Sequence, residues 1–198
     1  MEATNKVNLK TEALKNGVIW GIISIVIFLI TWYVMPNLMS SYIYVGLTFV
    51  VGISLAVFFC LDMRKKAGGY WSFGEALWNI FVMFIMATLI VYVFTIIFGK
   101  FIDPTYTAKM KEMTTTKTEE MYKSLGMDEA TIAEARVKTQ ERLESQFNPT
   151  FGQAVVGFGI SAIFYFIGAL IFALIFKKSN PNPWADQQAT TTDQADTQ

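Results

Sequence analysis

An all-α membrane protein with four transmembrane helices and an extracytoplasmic helical hairpin between the third and fourth is the fold class that this 198-residue chain predicts. Three observations carry it. Residues 17–34, 42–61, 76–99 and 151–176 contain no charged side chain. Each run is about long enough to cross a ~30 Å hydrocarbon core at ~1.5 Å per residue. The charged residues gather at the ends of these runs and in one long segment between the third and fourth. In lipid every backbone polar group needs an internal partner, so uninterrupted apolar runs read as helices.

The first run follows Lys6, Lys10 and Lys15, as a signal peptide would, but no small-x-small cleavage site follows Val34. It reads as a retained anchor. Positive residues near span ends stay cytoplasmic. The N-terminal lysines, Arg64-Lys65-Lys66 and Lys177-Lys178 all fall on one side of a four-span arrangement, and the turn Met35 to Ser41 on the other side is uncharged. Both termini are therefore expected in the cytoplasm. The expected divisions are a cytoplasmic segment 1–15, spans one to three within 16–100, an extracytoplasmic hairpin 101–149, span four within 150–178, and a disordered cytoplasmic tail 179–198.

Ser72 and Glu75 have the spacing of a capping box and place Ser72 at the N-cap of the third span. Gly68 and Gly69 before them permit backbone conformations that other residues avoid. Ionisable groups beside membrane helices are functional-site candidates. Glu75 lies at the end of a span rather than the bilayer centre, so it reads first as a cap that also pairs with Arg64, Lys65 or Lys66. An ion or proton role is the competing reading.

In the long loop, Asp103 reads as an N-cap with Pro104 at the first helical position. Tyr106, Met110, Met113, Met121 and Leu125 then recur at helical spacing, and Gly126 is a helix stop. Asp128 and Glu129 restart a helix with acids at the positive end of its dipole. Ile132, Ala133, Val137, Leu143 and Phe147 form its apolar stripe, and Asn148-Pro149 ends it. Glu119–Lys123 and Glu134–Lys138 are spaced to support the exposed faces. A Met-rich stripe also suits an adaptable docking surface.

Small residues let membrane helices approach closely. Gly17 and Gly21, extended by Ser24, supply such a face in the first span; Gly52 and Ala56 do so in the second, and Gly157, Ser161, Ala169 and Ala173 in the fourth. They predict a tight four-helix bundle, or contacts between protomers of a homo-oligomer.

Several chemistries are disfavoured. The chain has no His, which removes the commonest general base and a major metal ligand. Its single cysteine, Cys60, lies in an apolar run and reads as a core residue. Lys plus Arg equal Asp plus Glu at 16 each, so no basic excess points to nucleic acid. No phosphate-binding, dinucleotide or nucleophile motif occurs. No catalytic residue, cofactor or metal is therefore assigned.

Three segments together carry a resemblance: Asn16-Gly17-Val18-Ile19-Trp20-Gly21, Gly68-Gly69-Tyr70-Trp71-Ser72-Phe73-Gly74-Glu75-Ala76-Leu77, and Phe101-Ile102-Asp103-Pro104 with Asn148-Pro149. The chain resembles, over roughly residues 10–178, the bacterial integral membrane family registered as domain of unknown function 4199. That resemblance implies four spans, a helical outer segment and a bacterial cytoplasmic membrane, and carries no activity. The reading is a non-enzymatic accessory or interaction protein, embedded in the lipid bilayer and acting on a membrane or periplasmic protein through its outer hairpin. The alternative is a small oligomeric transporter or channel subunit.

Overall fold

The computed structural model describes residues 8–181, and among them all the extended elements are helical. The first span is α1, Leu9–Val34. It starts well before residue 16, because the Asn8 side chain accepts the Lys10 and Thr11 amides and caps it there. Residues 9–15 of the expected N-terminal segment are thus the first two turns of α1; residues 1–7, Lys6 among them, and residues 182–198 of the tail lie outside the described residues. A short 3₁₀ turn, Pro36–Ser40, leads to α2, Tyr42–Lys66. The third span, α3, covers Phe73–Ile97 and continues into a π-helical turn, Phe98–Ile102. Two polar helices follow, α4 at Thr105–Ser124 and α5 at Glu129–Phe147, and then α6, Phe151–Phe176. Four of these helices are long and apolar enough to cross a membrane.

The turns follow from local chemistry. Gly68 and Gly126 have φ of +87° and +72°, a left-handed conformation that costs an L side chain. After each helix the same two bonds close its end: Gly69 N–H donates to Arg64 C=O and Gly68 N–H to Lys65 C=O, as Met127 and Gly126 do to Tyr122 and Lys123. This is the Schellman arrangement, which satisfies otherwise orphaned carbonyls.

α3 is the axis of the molecule. α1 runs parallel to it: Gly17 lies against Met83 and Met86, Gly21 against Ile90, Phe28 against Phe94 and Trp32 against Phe98. Lipid tails are as apolar as these side chains, so close packing rather than hydrophobic burial holds such a pair together. α6 runs antiparallel to α3, with Phe172 on Phe84 and Phe158 near Tyr92.

The bundle is tight at one end only, which corrects the expectation of a tight four-helix bundle. Its main core joins Ala13 of α1, Ala56, Phe59, Cys60 and Met63 of α2, Ala76, Ile80 and Met83 of α3, and Ala169, Ala173 and Phe176 of α6. All of these lie at the end that carries Glu12, Lys66 and Lys178. There Trp71 Nε1–H donates to Phe176 C=O at 2.7 Å, and Trp71 and Lys178 exchange both backbone bonds. Toward the other end α2 and α6 diverge. The only buried residues of α6 fall within its last eight, Ala169 to Phe176. Gly157, expected on a packing face with Ser161, has no atom within 4 Å of where a Cβ would stand, and the Ser161 hydroxyl simply donates to Gly157 C=O in its own helix. Small residues permit a close neighbour; they do not supply one.

Candidate functional site

At the open end, a second cluster forms where α1, the π turn and α4 meet. Trp32, Phe98 and Tyr106 are buried in it, with Phe28, Phe94, Met110, Met113 and Phe147 around them. The π turn adds a residue to the helix and rotates the chain toward α1. That brings Asp103 beside Trp32, 71 positions away in sequence, and Trp32 Nε1–H donates to Asp103 Oδ2 at 2.9 Å. The other carboxylate oxygen, Oδ1, accepts the Thr105 amide at 3.0 Å and the Thr105 hydroxyl at 2.6 Å. The hydrogen-bonded helix begins at Thr105, one residue later than expected; Pro104 stands before it with helical dihedrals and Asp103 still accepts its second amide.

The Thr105 and Trp32 hydrogen bonds hold the Asp103 carboxyl below the usual carboxylate range. Burial among rings pushes the Tyr106 hydroxyl up to about 12, so it stays neutral. Lys109 Nζ lies 5.6 Å over the Trp32 ring, within cation–π range.

α4 and α5 pack on each other through cross-helix ion pairs, Lys111 with Glu144 and Arg136 with Glu119. Glu119 therefore pairs across to α5 and not with Lys123 four residues on, because an arginine from the neighbouring helix is nearer. Glu134 and Lys138 do pair, at 2.6 Å. The Met stripe of α4 is occupied internally: Met110 and Met113 join the Trp32 cluster, and Tyr42 O–H donates to Met121 Sδ at 3.0 Å. What the pair leaves exposed is mainly charged, with Val137 on α5 and Leu125 and Met127 at the turn between the helices as the large apolar exceptions, so Leu125 of the expected stripe is not packed inside.

Beneath α4 and α5, the divergence of α6 leaves a chamber of about 420 Å³ between α1, α3 and α6. Trp20, Phe84, Val91 and Tyr165 line its body, and Lys100, Tyr106, Thr107 and Gln146 its upper end. The sequence held no local sign of it, since it exists only because one helix departs from another.

At the tight end, Ser72 and Glu75 form both halves of a capping box: the Glu75 carboxylate accepts the Ser72 amide at 2.9 Å, and the Glu75 amide donates to Ser72 Oγ. Gly68 and Gly69 shape the turn before it. The expected pairing of Glu75 with Arg64, Lys65 or Lys66 does not form among the described residues. Lys66 sits between Glu12 and Asp62, 2.7 Å from each, and Asn16 Nδ2–H reaches Asp62 at 3.5 Å. This network ties α1 to α2; the i,i+4 spacing of Asp62 and Lys66 was its one signal in the sequence. Replacing Ser72 with Ala should cost about 1 kcal/mol of stability, a typical N-cap loss, and Glu75→Gln less, since an amide oxygen still accepts. Thermal unfolding in detergent checks both; a larger loss in Glu75→Gln than in Ser72→Ala would give the carboxylate a task beyond the cap. Among the described residues no group of three or more metal-ligating side chains is assembled.

Four apolar spans around a shared axis, with two polar helices fastened across one end, define a multi-pass helical membrane protein. Residues 15–178 match the family described as Protein of unknown function (DUF4199), and the chain belongs to that family. No curated protein and no solved structure matches it.

Proposed function

We propose that the protein is a non-enzymatic accessory factor of a bacterial cytoplasmic membrane, acting by contact through the hairpin of α4 and α5. The observation that supports this reading is the fastening of the hairpin. Trp32, Asp103 and the surrounding rings join it to α1 and α3, so force or binding on its charged face passes directly to the spans. Extracytoplasmic exposure of the hairpin rests on charge: Arg64-Lys65-Lys66 and Lys177-Lys178 lie at the opposite end.

Two measurements test the proposal. In a Cys60→Ser background, Lys123→Cys should react with a membrane-impermeant maleimide in intact cells and Lys178→Cys only after permeabilisation; the reverse pattern would place the hairpin in the cytoplasm. Photo-crosslinking probes at Val137 and Met127, which are exposed, should then capture one specific membrane or periplasmic protein, with Met113, packed against the Trp32 cluster, as the silent control. Absence of any discrete product from both exposed positions would defeat the accessory role.

A further inference from the structure

The chamber beside α6 differs from ordinary lipid-facing surface in two respects. It is walled by three helices and covered at one end by the start of α4 and the end of α5, so it is half-enclosed. Its lining also changes along its length, from Phe84 and Val91 within the spans to Lys100 and Gln146 beneath the roof. Lys100 is the one charged residue in the lining, no carboxylate accompanies it there, and among the described residues it forms no ion pair.

A lone cation where a span ends, above an apolar cleft, complements an amphiphile with a negative head. The volume of about 420 Å³ falls within the ~300–1,000 Å³ usual for small-molecule sites. A helix from a second copy would need the groove open along its whole length, whereas Tyr106, Thr107 and Phe147 close its upper end. We propose that the chamber holds an acyl chain of an anionic phospholipid, with the phosphate held by the Lys100 ammonium and the Gln146 side-chain amide. This inference goes beyond the accessory role and does not rest on it.

The test uses the full chain in non-ionic detergent, with phosphatidylglycerol carrying a photoactivatable group in its acyl chain. Phosphatidylcholine with the same chains is the comparison. Phosphatidylglycerol should label about fivefold more strongly, the value of one lysine near an anionic surface, and the label should map to Val91, Thr95 and Tyr165. Lys100→Gln, at an exposed position that leaves the fold intact, should bring the two lipids close to parity. Thr95→Trp, which fills the chamber, should remove the label there for both. Equal labelling of the two lipids by the unaltered chain would overturn the proposal. So would labelling confined to the exposed face of α2, or a crosslinked dimer in which a second copy occupies the chamber.

Discussion

Gly17→Ala is expected to destabilise the protein by about 2–3 kcal/mol, near the upper end of the usual cost of overpacking. A Cβ at Gly17 would stand 2.7 Å from the carbonyl oxygen of Met83 and 2.7 Å from Met86 Cβ. Neither atom is the free end of a flexible chain, so relief requires α1 to move away from α3. At Gly21 the nearest atoms, Ile90 Cβ and Cγ2, are 2.9 Å away, and the loss should be similar in kind. For a chain of this size the unfolding midpoint should fall by roughly 4–12 °C. Gly46→Ala and Gly157→Ala are the controls: neither Cβ would meet an atom within 4 Å, and both should be neutral or slightly stabilising through helix propensity. If Gly17→Ala unfolds alongside Gly46→Ala, α1 and α3 do not pack as described. A selective loss in Gly157→Ala, visible as a fall in molecular mass rather than in stability, would reveal a contact between copies at that face.

Trp32→Ala should produce the second large effect, about 3–5 kcal/mol, as deletion of a buried aromatic does. Trp32 is 4% exposed and touches Phe98 and Tyr106 edge to face, with centroids 6.4 and 5.0 Å away. The loss should be local. Amide exchange in α4 and α5 should accelerate, while the core around Ile80 and Met83 keeps its protection. Asp103→Asn separates charge from packing. The folded pKa of Asp103 is lowered, so its contribution is complete above the ordinary aspartate value near 3.8 and disappears as pH falls through the lower folded value. Lowering the pH from 6 to below 3 should therefore change Trp32 emission in the unaltered chain and leave Asp103→Asn much less responsive. Equal responses would mean that the carboxylate does not hold the indole.

Features legible in the sequence were those decided within a few residues. Charge-free runs of helical length located the spans, because lipid leaves the backbone no other option. Ser72 and Glu75, three apart, announced their cap, and Gly126 announced a helix end through the φ that only glycine adopts freely. Long-range choices were not legible. Gly17-x-x-x-Gly21 and Gly157-x-x-x-Ser161 carry the same signature, yet the first meets α3 and Gly157 meets no other helix of its own chain. Trp32 carries no local sign of its role, because its partner lies 71 positions away and is delivered by a π turn that no residue pattern marks. Glu119 had two cations within reach, and only the packing of α5 decided for Arg136. The chamber belongs to the same class: its lining is drawn from α1, α3, α4, α5 and α6, and no segment contains enough of it to be noticed.

The backbone bridge between Trp71 and Lys178 has a mechanical consequence. It pins the foot of α6 to the foot of α3, while the part of α6 from Phe151 to Gly168 buries no side chain and meets α3 only through partly exposed rings such as Phe158, Tyr165 and Phe166. That part is roughly 27 Å long at ~1.5 Å per residue. A tilt of only about 5° about the pinned foot swings its tip by roughly 2 Å, close to half a strand spacing and enough to widen or shut a slot one hydrocarbon chain across.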